Sequence, residues 1–277
     1  MKRTLRACLA LSLIALAVAG CELMQPTAIP TDTPPPTAVT LLPLIPTVDL
    51  THVPGANDPT AAARPSGGAV PLEVEATAGD GTALRGLYYP LARSAPAVLL
   101  LHMLGGAKED WENVAADMQA AGFIVLAVDL RGHGETGRAQ DWSLARQDVA
   151  TWLDDLRSRP NVDAARVGIV GASIGANLAL NACADDPACR AVVMLSPGRD
   201  YRGVTTEDAM SALGTRPVLL VASEDDDYSA ESARVLDGLA QGEHRLELFQ
   251  NAGHGTRMFN VELELTQLII DWLKAHL

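Results

Sequence analysis

The sequence predicts an α/β domain in which helices flank a mostly parallel β-sheet, with an antiparallel N-terminal edge and no large lid. Uniformly apolar runs of strand length, such as residues 97–101, alternate with segments of helical spacing across residues 71–277. Strands of this kind are typical of a parallel sheet whose two faces are both covered. Regular strand–helix alternation favours right-handed crossovers, with helices on both faces of the sheet.

The antiparallel edge is predicted from the start of this region. Two β-prone segments, residues 72–76 and 82–89, are joined by Gly79-Asp80-Gly81. Asp-Gly between alternating apolar segments favours a hairpin. The following predicted strands are 97–101, 123–130, 167–172, 190–195, 217–222 and 244–249. The predicted helices are 109–121, 141–158, 174–182, 207–213, 230–240 and 261–275.

Residues 1–20 have the pattern of a signal peptide, because basic Lys2 and Arg3 precede an apolar run too short to span a bilayer. This run ends in Val-Ala-Gly before Cys21, which resembles a bacterial lipobox. The resemblance implies that Cys21 is acylated and becomes the mature N-terminus. We therefore expect an extracytoplasmic lipoprotein anchored to the cell membrane through Cys21. The alternative is a plain secretory signal in which Cys21 is incidental.

Residues 21–70 form the next block, which is rich in proline and threonine and has no apolar periodicity. Such a segment buries too little apolar surface to offset the cost of ordering its backbone, so it predicts a disordered tether. Residues 71–277 are of a length that suits one domain. The net charge of −13 argues against a nucleic-acid partner, since the phosphate backbone demands clustered lysine and arginine.

The candidate nucleophile is Ser173. Gly171-Ala172-Ser173-Ile174-Gly175 is a G-x-S-x-G motif between an apolar strand and a helix. This context predicts a strained elbow that projects the serine hydroxyl above the sheet. The unpaired N–H groups at the helix start suit a developing oxyanion. The alternative is an ordinary strand–helix turn made of small residues.

A serine nucleophile needs a base and an orienting acid. His254 is the candidate base, because it follows the last predicted strand in a glycine-flanked loop. The acid is expected in the run Glu224–Asp227 after strand 217–222, and the residues alone leave its identity open. The five other histidines lie in the tether, at a strand start, at the C-terminus or ahead of the nucleophile: His52, His244, His276, His102 and His133.

Together the motifs resemble the α/β-hydrolase superfamily from about Leu72 onward, particularly its dienelactone-hydrolase-like and small esterase branches. The motifs that carry the resemblance are His102-Met-Leu-Gly-Gly106, Asp129-Leu-Arg-Gly-His-Gly134, the elbow, Ser223-Glu-Asp-Asp226 and Gly253-His-Gly255.

The resemblance implies roles for individual residues. The usual Gly-x-x-Asp pattern points to Asp226 as the acid, with Ser223 at the glycine position and Asp225 as the alternative. In the His-Gly-x loop Met103 replaces the glycine, so Leu104 would donate an oxyanion N–H together with Ile174. His102 and His133 are then structural residues around the site.

The implied activity is carboxylic-ester hydrolysis through an acyl-enzyme, without metal or cofactor. The expected partner is a small-molecule ester or amide. Only a short loop is expected between residues 195 and 207, where many relatives insert a helical lid. One alternative is an exopeptidase or amidase on the same triad, and another is a non-catalytic binding lipoprotein on a hydrolase fold.

A disulfide is expected between Cys183 and Cys189. The two cysteines lie close together in CADDPAC, in a chain predicted to enter an oxidising compartment. The alternative is a pair of thiols. A metal site is not expected there, because two cysteines without a nearby histidine supply too few ligands.

Overall fold

A computed structural model of the chain describes residues 70–277. The predicted signal peptide, the lipidation site Cys21 and, apart from Val70, the tether 21–70 lie outside the described residues. Among residues 70–277, no helix combines the length and the apolar character needed to cross a bilayer.

Ten strands and six α-helices make up the described part of the chain. The strands are β1 Leu72–Thr77, β2 Ala83–Tyr89, β3 Ala95–Leu101, β4 Ile124–Val128, β5 Val162–Ala172, β6 Cys189–Leu195, β7 Asp200–Tyr201, β8 Val204–Thr205, β9 Val218–Ser223 and β10 His244–Phe249. The helices are α1 Glu112–Ala120, α2 Trp142–Ser158, α3 Ile174–Asp185, α4 Glu207–Leu213, α5 Asp227–Leu239 and α6 Leu265–His276. Short 3-10 helices span Lys108–Trp111 and Gly255–Asn260.

Eight of the strands form one sheet in the order β1-β2-β4-β3-β5-β6-β9-β10. β2 pairs antiparallel with both β1 and β4, and the other neighbours are parallel. The predicted α/β fold, with its antiparallel edge, is therefore confirmed. The chain leaves β3 for β4 on one side and returns to β5 on the other. Loops that follow such a switch of direction are where ligands bind in open parallel sheets.

Both faces of the sheet are covered, which explains the uniformly apolar strands. One apolar cluster packs α2, α3 and α5 against the sheet, and the other packs α1 and α6 against the opposite face. Between them, every residue of β4 and of β9 is buried. Alternation of polar and apolar residues is absent because neither side of these strands meets water.

Several local features differ from the sequence prediction, among them the start of β5 at Val162 instead of residue 167. The expected helix 261–275 begins at Leu265, after a 3-10 helix. The expected loop between β6 and α4 contains the β7–β8 hairpin. Arg202 and Gly203 at its tip have φ of 57° and 84°. Such a two-residue turn matches strand twist but seldom takes arginine, so the sequence does not announce it.

The disulfide between Cys183 and Cys189 is present. Cys183 lies near the end of α3 and Cys189 begins β6, so the bond closes the connection that follows the helix of the elbow. The expected pairing is confirmed.

Candidate active site

Ser173 lies on a sharp turn between β5 and α3, with φ of 55° and ψ of −121°. The flanking glycines permit this turn. A Cβ on Gly171 would lie 2.1 Å from the Gly175 carbonyl oxygen, and one on Gly175 would lie 2.4 Å from that of Leu101. Strand and helix therefore approach too closely for any other residue. The strained conformation is of the kind that the predicted nucleophile elbow requires.

His254 and Asp226 are in direct contact. The His254 Nδ1 atom lies 2.6 Å from Asp226 Oδ2. Burial of the Asp226 carboxyl opposes ionisation, but hydrogen bonds from His254 and Ser229 outweigh it, so the pKa of Asp226 is held below its usual value. Asp226 is therefore a carboxylate at neutral pH, able to fix the imidazole tautomer and to stabilise an imidazolium.

Asp225, the alternative acid, faces different partners. Its carboxylate accepts a hydrogen bond from the Ser223 hydroxyl and lies 3.5 Å from the Gly253 backbone nitrogen. Of the two carboxylates that the sequence left open, Asp226 is thus the one that contacts His254.

Two serines hold the backbone on either side of His254. The Ser223 Oγ accepts a hydrogen bond from the Ala252 N–H at 2.8 Å, and the Ser196 Oγ accepts one from the Gly255 N–H at 2.8 Å. A Cβ on Gly255 would lie 3.7 Å from the Cβ of Ala172, the residue before Ser173. The loop that carries His254 is therefore fastened to β6 and β9 and packs against the elbow.

The two predicted oxyanion donors belong to different loops. Ile174 is the first residue of α3, so its N–H has no acceptor within the helix. Leu104, 39% exposed, lies in a turn closed by a 2.9 Å hydrogen bond from the Gly106 N–H to the Met103 carbonyl. The Leu104 loop follows β3 and the Ile174 elbow follows β5, and these two strands are neighbours in the sheet. Their oxyanion role stays a prediction.

His102 and His133 are buried and engaged with backbone groups. The His102 Nδ1 lies 2.7 Å from the Met103 carbonyl oxygen, and its Nε2 accepts the Leu130 N–H at 2.9 Å. Burial lowers the pKa of His102, so its imidazole stays neutral. His133 packs edge-on against His102 at a ring-centroid distance of 5.1 Å. Both histidines stabilise the loops after β3 and β4, in agreement with the structural role predicted for them from the sequence.

Tyr201 is a site residue that sequence reasoning missed. Its ring meets the His254 imidazole edge-on at a centroid distance of 6.4 Å, and its hydroxyl lies 2.9 Å from the Ser229 Oγ. Burial raises the pKa of Tyr201, while hydrogen bonds with Ser229 and Ser173 act against that rise. A lone tyrosine in a loop carries no sequence signal, because its position depends on how the β7–β8 hairpin folds back.

Asn177 and Asn181 were also missed, although they leave a signal. Both are buried on α3, one and two turns after Ser173. Asn177 Nδ2 donates to the Gly198 and Val204 carbonyls at 2.9 and 2.7 Å, and Asn181 Nδ2 donates to the Thr205 carbonyl at 2.8 Å. Amides four residues apart in an apolar helix indicate buried partners.

A cleft of about 530 Å³ opens beside the predicted oxyanion loop. Its lining includes Met103, the residue before Leu104, and Thr256, two residues after His254. Most of the remaining lining is polar, with Asp110, Asp117 and Arg257 among it. Within residues 70–277, no three side chains of His, Cys, Asp or Glu are grouped so that they could hold a metal ion.

Comparisons with known proteins find similarities over parts of this chain. A family model described as "Serine aminopeptidase, S33" matches residues 92–214. An uncharacterized protein of Mycobacterium tuberculosis is 37% identical over 93 residues, which cover 33% of this chain. The match spans only 26% of that relative's length.

Solved structures match a larger share of the chain. A dienelactone hydrolase from Anabaena variabilis has a TM-score of 0.65 at 24% identity, covering 76% of this chain and 100% of its own. An acetyl xylan esterase from Paenibacillus has a TM-score of 0.64 at 18% identity, covering 74% of this chain and 83% of its own. At these identities the likeness establishes the fold.

Proposed function

We propose that the described domain is a serine hydrolase of the α/β-hydrolase superfamily that cleaves carboxylic esters. One observation carries the proposal. His254 is held by Asp226 at 2.6 Å, on a loop packed against the elbow that presents Ser173. A nucleophile beside a base that is itself oriented by a carboxylate is the arrangement that activates serine.

The reaction proceeds in two matching halves. Ser173 Oγ attacks the ester carbonyl carbon as its proton moves to His254 Nε2, since Nδ1 is engaged with Asp226. The carbonyl electron pair moves onto oxygen, where the Leu104 and Ile174 N–H groups stabilise it. When the carbon–oxygen bond to the alcohol breaks, His254 returns the proton to the departing oxygen. Water then attacks the acyl-enzyme in the same way, releasing the acid and restoring Ser173.

One consideration favours esters over amides. The structural neighbours named above include an esterase and a lactone hydrolase, both of which by name cleave an ester linkage. These relations support the ester reading without specifying an acyl or alcohol group.

The family description keeps one alternative in view. A serine aminopeptidase would use the same three side chains on the amide bond of an N-terminal residue. Side-by-side rates on aminoacyl p-nitroanilides and on p-nitrophenyl acetate and butyrate separate the two activities. A third possibility, a binding lipoprotein without catalysis, predicts no turnover of either substrate.

The decisive experiment is the variant Ser173→Ala, matched with Ser211→Ala on the exposed side of α4. We expect Ser173→Ala to abolish both turnover of p-nitrophenyl butyrate and labelling by a fluorophosphonate. Ser211→Ala should retain both. Undiminished turnover by folded Ser173→Ala protein would refute the assignment.

A further inference from the structure

The β7–β8 hairpin reaches the nucleophile from one defined side. It follows β6, which lies in the sheet between β5, the strand of Ser173, and β9, the strand that leads to Asp226. The Leu104 loop follows β3, on the other side of β5. The Tyr201 hydroxyl also interacts with Ser173, so Tyr201 borders Ser173 from the side of the acid and the base, opposite the Leu104 loop.

The Tyr201 side chain is held in one place. Its hydroxyl lies 2.9 Å from the Ser229 Oγ and 3.5 Å from the Ser196 carbonyl oxygen. Its ring covers Gly198 so closely that a Cβ there would lie 2.6 Å from a ring carbon. Tyr228 packs edge-on against the same ring at a centroid distance of 5.6 Å. A ring fixed on several sides acts as a wall.

The hairpin that carries this wall is itself fastened at both strands. The Tyr228 hydroxyl lies 2.9 Å from the Asp200 backbone nitrogen and 3.0 Å from its carbonyl oxygen. Asn177 on α3 holds the Val204 carbonyl of the opposite strand. Asn177 lies on α3, which begins directly after Ser173, and Tyr228 lies on α5, which begins directly after Asp226. Tyr201 therefore keeps a constant position relative to Ser173 and Asp226.

The chemistry of the proposed function indicates what this wall meets. In ester cleavage His254 must hand its proton to the departing alcohol oxygen, so the alcohol carbon next to that oxygen lies beside the imidazole. Tyr201 packs against that imidazole and borders Ser173. We propose that Tyr201 determines the specificity for the alcohol part of the ester, because its ring admits an unbranched carbon next to the ester oxygen and excludes a branched one. This inference rests on the proposed ester hydrolysis.

The test varies the alcohol while the acyl group stays constant. We would measure kcat/KM for ethyl, isopropyl and tert-butyl butyrate with the wild type, Tyr201→Phe and Tyr201→Ala. The wild type should prefer the ethyl ester. Tyr201→Ala should raise the isopropyl-to-ethyl ratio of kcat/KM by about tenfold or more, the range in which pockets discriminate single carbon groups. Tyr201→Phe keeps the ring and should keep the wild-type ratio.

A second series separates this role from a general loosening of the site. In a series of ethyl acetate, ethyl butyrate and ethyl hexanoate, Tyr201→Ala should leave the ratios of kcat/KM between acyl chains unchanged. The inference is overturned if Tyr201→Ala protein that still reacts with a fluorophosphonate keeps the wild-type alcohol ratio, or relaxes both series alike. Tyr201→Leu serves the same comparison if the alanine variant does not fold. Absence of both hydrolysis and labelling in the wild type would instead count against the proposed function.

Discussion

Ser223 occupies the position at which the superfamily pattern carries a glycine, and its hydroxyl connects the loop of Asp226 with the loop of His254. It donates to Asp225 and accepts the Ala252 N–H, so it links the acid loop to the backbone before His254. Asp225 therefore stabilises the loop through its hydrogen bond with Ser223, and Asp226 is the carboxylate that contacts the imidazole. Asp225 and Asp226 thus have different roles, although they are adjacent and chemically identical, because their contacts differ.

This difference predicts unequal effects of matched substitutions. Asp226→Asn should lower kcat for p-nitrophenyl butyrate by about 10³- to 10⁴-fold, because an amide disfavours the required imidazole tautomer. Asp225→Asn should lower kcat by less than about tenfold. Steady-state kinetics of both folded variants tests this pair of expectations, and equal losses would contradict the assignment of Asp226.

Asp226 also predicts a pH dependence of stability. The pKa of Asp226 in the folded protein lies below its usual value of about 3.9. A lowered pKa means that the ionised carboxylate stabilises the fold above about pH 4, and that this contribution is lost as the pH falls through the folded-state pKa. The free energy of unfolding of the wild type should therefore exceed that of Asp226→Asn at pH 6, and the gap should shrink as the pH falls below about 4. Urea unfolding across this range measures it, and a gap independent of pH would contradict it.

At the scale of elements, α3 does more than terminate the elbow. Its buried Asn177 donates two hydrogen bonds to the segment that carries Tyr201. Removing the amide would take one donor from each of the Gly198 and Val204 carbonyls and would remove the acceptor of the Gly198 N–H, which lies 3.1 Å from Asn177 Oδ1. The helix therefore couples the position of the nucleophile to the position of the hairpin over it.

We expect Asn177→Ala to reduce the free energy of unfolding by about 1–3 kcal/mol, because the buried Gly198 N–H loses its acceptor and two carbonyls lose a donor. Asn181→Ala removes one donor from the Thr205 and Asn177 carbonyls but no acceptor of a buried N–H, so it should cost less. Chemical denaturation of both variants compares the two losses. An Asn181→Ala loss equal to or larger than that of Asn177→Ala would argue against the role of Asn177 as the main anchor.

The disulfide acts on the other end of α3. In the chain-entropy account, a loop this short contributes about 2 kcal/mol. The double variant Cys183→Ser/Cys189→Ser should therefore unfold at lower denaturant concentration while keeping its kcat, because the bond lies at the opposite end of α3 from Ser173. Equal denaturation midpoints, or a large loss of kcat in the folded variant, would contradict this.

At the scale of the whole molecule, the predicted residues meet at one edge of the sheet. Ser173, Asp226, His254 and the Leu104 loop all follow the carboxyl ends of parallel strands, and the elbow sits at the switch of direction between β3 and β5. Residues separated by more than 100 positions in sequence come together because parallel strands end at the same edge.

Anchoring of this molecule to a membrane is a separate proposal, resting on Cys21 outside the described residues. Acylated protein should partition into the detergent phase of a Triton X-114 extract, and Cys21→Ser should move it to the aqueous phase. Cys8→Ser is the matched control, because Cys8 would be removed with the signal peptide, and it should leave partitioning unchanged. Detergent partitioning of Cys21→Ser protein would contradict the lipobox reading.

Much of this protein could be predicted from local pattern alone. Helix α4 and strand β10 have the predicted bounds, since apolar period and flanking breakers are properties of neighbouring residues. The elbow at Ser173 is equally local, because five consecutive residues define it. The order of serine, acid and histidine along the chain limited the candidate acid and base to a few residues in the loops after β9 and β10.

Other features depended on contacts that no short window contains. The sequence by itself determined the α/β sheet, the elbow and His254 as the candidate base, because periodicity and motif spacing are written along the chain. Only the tertiary structure decided that Asp226 rather than Asp225 contacts His254, and that Tyr201 packs beside the His254 imidazole. Those contacts join residues 28 positions or more apart, and their geometry is set by how the sheet packs.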